Sequence, residues 1–378
     1  MKRWVWRFAA INLCLLMAAF ASVTCSGRDL LVDSGQRLGN EASWSVALGD
    51  VDRDGDLDAA VANFDAGAFV WLNDGTGRFT DSGQRLAPGV YVQLADFDGD
   101  GALDVLLGSW DVPVTVWWND GRGTFVRGQA SLGVPGCQAL AVGDLNGDGR
   151  LDIFVGTATA DRVLLNAGDR TFTDSGQRLG RGPTGGGALG DMDGDGDLDV
   201  VAAGWDEPGR VLANDGTGRL TPLCEFDAAA LHVHGAALAD YDGDGDLDAF
   251  FALAGGVCCR NVWLNDGTGR LYSAGFDLGK VIQQGITVAD FDLDGDLDIG
   301  LAVGAGGSPS PSLVWLGQEG TFADSGLRIG DAFGGGIAAG DLDRDGDEDI
   351  FAALLSLPGL GWDYRPHPNE VWINTTRE

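Results

Sequence analysis

The chain has 378 residues, with 24 Lys and Arg against 57 Asp and Glu, for a formal net charge of −33. That balance excludes a general nucleic-acid or anionic-membrane binder, which needs a basic surface. A hydrophobic share of 44% with 12 Trp excludes a disordered chain. The acids divide into 50 Asp and 7 Glu, beside 62 Gly, and Asp with Gly points to tight turns and short carboxylates held at fixed angles.

In chain order, the first element is a leader. Lys2, Arg3 and Arg7 form a positive start, Phe8 to Phe20 is apolar apart from Asn12, and Ala19-Phe20-Ala21 has the small-residue spacing of a signal-peptidase site. We expect a signal peptide over residues 1–21, with cleavage as late as residue 24, and an exported protein, secreted or held at the cell surface. The apolar run is too short to span a bilayer, and nothing later reaches that length, so no transmembrane span is expected. Ser22-Val23-Thr24-Cys25 loosely resembles a bacterial lipoprotein box, although Ser at its first position and Thr at its third depart from that pattern. Lipid anchoring at Cys25 is the alternative to free secretion. Beyond it stand Cys137, Cys224, Cys258 and Cys259, too few for a disulfide framework in so long a chain. A bridge from Cys224 to either member of the adjacent pair stays open.

From residue 30 to 378 one pattern recurs, and a single domain is expected. D-x-[DN]-x-D-G-x-x-D starts at Asp50, Asp96, Asp144, Asp191, Asp240, Asp290 and Asp341, at intervals of 46 to 51 residues. Short apolar stretches flank each copy, such as Val46 to Leu48 before and Ala59 to Ala62 after. A third stretch follows (VWLN at Val70 to Asn73, VWIN at Val371 to Asn374), then a Gly-rich turn and a fourth (Phe79 to Leu86). Four strands per unit and seven units predict an all-β, seven-bladed β-propeller. Leu31 to Leu38 repeats the fourth-strand sequence, whereas the last unit stops after its third strand. The N-terminal strand is therefore expected to complete the final blade, a 3+1 closure that hides open edges. Five residues before each acidic loop stand Ser45, Tyr91, Ala139, Gly186, Gly235, Gly285 and Gly336, mostly small, as strands crowding a central axis require.

Each acidic loop places oxygen-bearing side chains at positions 1, 3, 5 and 9 and Gly at position 6. The candidate metal ligands are Asp50, Asp52, Asp54 and Asp58; Asp96, Asp98, Asp100 and Asp104; Asp144, Asn146, Asp148 and Asp152; and Asp191, Asp193, Asp195 and Asp199. The last three loops offer Asp240, Asp242, Asp244 and Asp248; Asp290, Asp292, Asp294 and Asp298; and Asp341, Asp343, Asp345 and Asp349. Alternate residues of a tight loop converge on one point, and Ca²⁺ takes six to eight oxygens, so up to seven Ca²⁺ are expected. An EF-hand would need Glu at position 12, where the first loop has Val61. Asp-rich turns without metal do not explain four oxygens at fixed spacing in every unit.

Loops such as Asp50-Val51-Asp52-Arg53-Asp54-Gly55-Asp56-Leu57-Asp58 resemble the FG-GAP/VCBS repeat family, which includes the calcium-bearing blades of integrin α-subunit propellers; the resemblance covers residues 31 to 378. It implies calcium in the hairpin between each blade's first and second strands. It also implies a role in extracellular ligand binding or adhesion, and similar repeats occur in some polysaccharide lyases and lectins. The opposite face then carries the variable loops. Trp44, Phe64, Tyr91, Trp110, Trp205 and Trp362 are the candidate ligand-face residues, several followed by Asp, fit to stack on sugar rings or anchor a protein loop. The VWLN-type tryptophans (Trp71, Trp117, Trp263, Trp315 and Trp372) are read as packing. His232 and His234 lack an identifiable third metal ligand, and no nucleophile elbow, phosphate loop or dinucleotide fingerprint occurs. The expected function is a monomeric binding or adhesion module with an extracellular protein or glycan partner, rather than an enzyme. A lyase or lectin on the same scaffold is the alternative.

Overall fold

The computed structural model describes residues 30–377 apart from 129–131, 206, 228–231, 255–260, 277, 280, 305–309, 319, 359–363 and 366. The expected leader, Cys25, Cys258, Cys259 and Trp362 lie outside the described residues. Every regular element among the described residues is a β-strand, and no helix there is long and apolar enough to cross a membrane.

The strands form seven sheets, each with a four-stranded antiparallel path, arranged as seven propeller blades. Blade 1 consists of Ser43–Gly49, Asp58–Asn63, Phe69–Asn73 and Phe79–Arg85. Blades 2 to 6 span residues 91–127, 137–174, 184–226, 233–273 and 283–329. Blade 7 takes Phe333–Gly340, Asp349–Pro358 and Glu370–Asn374, and its outermost strand is Leu31–Asp33, paired in the register Leu31 to Asn374. That order is compatible with the expected 3+1 closure. The fourth-strand homology runs to Leu38, but regular pairing stops at Asp33. Gly35 adopts φ +76°, and Asp33 folds back onto the Gly35 amide and the Arg37 guanidinium. A single bridge, Leu38 to Asn369, resumes the contact.

The period-2 alternation of the second strands explains the core. Ala59 and Val61 face blade 7, while Ala60 and Ala62 face blade 2. The apolar residues accordingly form seven clusters, one in each seam between neighbouring blades. Trp71, Trp117, Trp263, Trp315 and Trp372 all pack in these seams. The seven predicted axial residues, Ser45 through Gly336, line a central channel of about 190 Å³. There the backbones approach so closely that a Cβ on Gly336 would lie 2.9 Å from Ser45 Cα, a spacing that only glycine allows.

Two side-chain devices bind the seams. The Asn that ends each VWLN-type strand reaches the preceding blade: Asn73 Nδ2 donates to the carbonyls of Leu57 (3.1 Å) and Leu342 (2.8 Å). Asn119, Asn166, Asn214, Asn265 and Asn374 make the same cross-seam bond. Blade 6 has Gly317 instead, and its seam with blade 5 holds an aromatic cluster in which Tyr241 stacks on Phe322 at 5.0 Å. On the outer rim, Gln36 donates to Gly77 O (2.7 Å) and accepts from Phe79 N (2.8 Å). Gln84 and Gln177 clip the next blade in the same way. In blade 4 the Cys224 thiol takes over this role, donating to Gly269 O at 3.1 Å.

Candidate metal loops and a candidate ligand cavity

Each acidic loop joins the first and second strands of its blade, so all seven lie on one face of the ring. Position 9 opens the second strand and is buried in every blade, from Asp58 to Asp349. In blade 1, Asp58 Oδ2 accepts from Val51 N (2.9 Å) and Oδ1 from Asn73 N (2.8 Å). The position-9 carboxylates of the other six blades accept the equivalent pair of amides. This residue therefore ties loop to hairpin as well as facing the loop interior. Burial outweighs those bonds and pushes the carboxyls of Asp58, Asp104, Asp298 and Asp349 up to about 7. Asp199 is raised to about 6, and Asp152 and Asp248 are raised for the same reason.

Positions 1, 3 and 9 converge. Asp50, Asp52 and Asp58 each bring one oxygen within 4.8 Å of the others, as do Asp96, Asp98 and Asp104; Asp191, Asp193 and Asp199; and Asp240, Asp242 and Asp248. The position-5 carboxylates of these four loops turn an oxygen onto the amide two residues on. Asp193 Oδ1, Asp341 Oδ1 and Asp345 Oδ2 are buried without a hydrogen-bond donor. Orphaned acceptors among converging carboxylates fit a hard cation with oxygen ligands.

The loops are not equivalent. In loop 2 two of the four candidate ligands carry arginines from neighbouring blades: Arg170 Nη2 lies 2.6 Å from Asp98, and Arg53 Nη2 lies 3.0 Å from Asp100. In loop 3, Asn146 replaces one carboxylate and Arg150 pairs with Asp148. Among the described residues the arginine pairs on candidate ligands fall on loops 2 and 3, so the carboxylates of loops 4 and 5 keep their charge for a cation.

The opposite face holds a cavity of about 460 Å³ at the mouth of the central channel, lined by Trp44, Tyr91, Trp110, Trp205 and His234 among others. One wall comes from blades 1 and 2. Trp44 and Trp110 meet edge to face at 4.9 Å, Phe64 lies 5.6 Å from Trp110, and Trp110 Nε1 donates to the Tyr91 hydroxyl at 3.4 Å. The other wall comes from blades 4 and 5. Trp205 stacks on His232 at 5.8 Å, lies 5.4 Å from His234, and donates to Val233 O at 3.2 Å. Burial lowers His234 to about 4, so its ring is neutral at pH 7. Trp110 and Trp205 stay 39% and 38% exposed, unusual for indoles that serve only packing. Of the sequence candidates, Trp44, Phe64, Tyr91 and Trp110 come together, and Trp205 stands across the channel mouth from them. Gln138 and Gln284, which also line the cavity, escaped the sequence reading, because Gln in a strand carries no signal of its own. Cys137 is a buried thiol at the seam of blades 2 and 3.

The repeat model for FG-GAP-like repeats matches residues 50–107, 96–155, 144–202 and 191–251. The chain belongs to the FG-GAP-like repeat family. Among solved structures, this FG-GAP-like protein is similar to a lectin of Agrocybe aegerita described for specific recognition of non-reducing terminal N-acetylglucosamine. That likeness has a TM-score of 0.53 at 21% identity, over 85% of this chain and 87% of that chain, and it speaks to fold. A rhamnogalacturonan lyase of Bacillus licheniformis aligns over 92% of this chain and 75% of that chain at 15% identity and a TM-score of 0.47. No curated protein matches the chain.

Proposed function

We propose that this FG-GAP-like protein is an exported, calcium-stabilised propeller that binds carbohydrate through the aromatic cavity. The observation that carries the reading is the cavity itself, where exposed indoles stand on both sides of a concave mouth. Indole faces stack on the apolar faces of sugar rings, while amide and hydroxyl groups beside them hydrogen-bond the sugar hydroxyls. A flat protein partner would find little contact area in so small a recess.

The acidic loops serve this site from the far side of the ring. Carboxylates at positions 1, 3, 5 and 9, with Asn146 in loop 3, would hold Ca²⁺, whose charge would offset the repulsion between them. The buried position-9 carboxylate passes that rigidity to both hairpins of its blade, and the Asn latches pass it to the neighbouring blade. The leader over residues 1–21 supports export, and calcium at extracellular concentrations suits loops of this charge. The test is a glycan array probed with the purified chain in calcium and in chelator. Binding to carbohydrate in calcium is expected; an array without signal in calcium would remove the reading.

A further inference from the structure

Resting on that reading, we propose that the cavity receives the chain end of a neutral glycan, one or two sugar rings deep, and excludes acidic polysaccharides and internal chain segments.

Charge is the first argument. No Asp, Glu, Lys or Arg lines the cavity among the described residues, and the His234 ring is held neutral by burial. A uronic acid, sialic acid or sulfated sugar entering there would lose its hydration without gaining a counter-charge. It would also approach a protein of formal charge −33, whose field repels anions before contact. A neutral sugar meets neither penalty.

Donor and acceptor chemistry is the second. Gln138 Oε1 is buried and has no hydrogen-bond donor, although Gln138 lines the cavity. An acceptor left in that state is satisfied by an entering hydroxyl. The Tyr91 hydroxyl accepts from the Trp110 indole, and burial raises its pKa, so it keeps its own proton to donate. One acceptor in the cavity wall and one donor beside the indole of Trp110 match the alternating hydroxyls of a pyranose.

Shape is the third. Below the cavity the channel narrows to about 190 Å³, because the first strands of neighbouring blades pack backbone to backbone around it. A Cβ on Gly185 would lie 2.1 Å from Val233 O, one on Gly335 2.1 Å from Ser43 O, and one on Gly285 3.2 Å from Gly336 Cα. A channel so narrow leaves no room for a sugar chain to thread onward, and the Trp44–Trp110 and Trp205–His234 walls rise on opposite sides of the axis. A chain that enters must end there.

The test compares ligands in saturating calcium by calorimetry. The probes are linear neutral hexose and N-acetylhexosamine oligosaccharides, cyclic oligosaccharides of the same linkage, and linear ones whose terminal ring is a uronic acid. The expected result is binding of a linear neutral series, with at least tenfold weaker binding of the cyclic and acid-terminated forms. Trp110→Ala and Gln138→Leu should each weaken the neutral ligand roughly tenfold without moving the melting temperature; two variants guard against misfolding of either. Equal binding of cyclic or acid-terminated forms, or wild-type affinity in both variants, would overturn this inference and leave carbohydrate binding standing. Absence of any carbohydrate binding would overturn both.

Discussion

The two faces of the ring show how one repeat divides its work. On one face the same nine-residue loop is built seven times, with the same buried carboxylate holding the same two amides in each blade. On the other the loops differ in sequence from blade to blade, and among the described residues a cavity is assembled from different side chains that several blades bring to its mouth. Repetition suits a job every seam must do, and variation suits a job done once. The acidic face should therefore govern stability and the aromatic face binding, each nearly independent of the other.

Substitutions can break that division, and the largest effect is expected at a position-9 carboxylate. Asp104→Ala would strand the buried amides of Phe97 and Asn119 and should cost about 3 kcal/mol or more in chemical denaturation. Trp205→Ala, at an exposed indole, should stay within about 1 kcal/mol while abolishing ligand binding. If both variants lost stability alike, the two faces would not be separable.

A pH titration of the calcium-free protein sharpens the same comparison. Asp58, Asp104, Asp298 and Asp349 titrate near 7 in the folded chain, above the roughly 3.9 of an unfolded Asp. Between those values the folded state holds more protons than the unfolded state, so stability is greatest below about pH 4 and falls as pH rises to about 7. The chelated protein should thus melt at a higher temperature at pH 5 than at pH 8, and calcium should erase or reverse the trend. A chelated protein that melts higher at pH 8 would contradict the assignment of buried, cation-seeking carboxylates.

Within the acidic face, loops 2 and 5 form a finer contrast. Arg53→Gln with Arg170→Gln frees Asp100 and Asp98 and should tighten calcium at loop 2 roughly tenfold, seen as an added high-affinity step in calorimetry. The smallest effect belongs to the outer rim, where Asp324 and Arg328 form an exposed pair. Asp324→Ala should change stability by less than about 1 kcal/mol.

Much of this was legible in the sequence, because the repeat writes the same physics seven times. The strands, the blade count, the axial small residues and the position of the loops follow from period and alternation. What escaped is long-range. Asn73 was visible as the end of VWLN, but its partner carbonyl at Leu342 lies 269 positions away, a distance no local pattern reports. The arginine clasps on loop 2 come from two different blades, so the missing carboxylate of loop 3, Asn146, was readable and the paired carboxylates of loop 2 were not. Trp205 carried the same aromatic signal as Trp110, yet only ring closure places it on the opposite wall of the cavity.

The most direct test of the account is thermal unfolding of the calcium-loaded chain at pH 7 before and after excess chelator. Seven acidic loops, four of them with carboxylates seen to converge and some with buried acceptors left without donors, predict a fall in melting temperature of roughly ten degrees or more. An unchanged melting curve would contradict the claim that metal in the acidic loops holds the ring together.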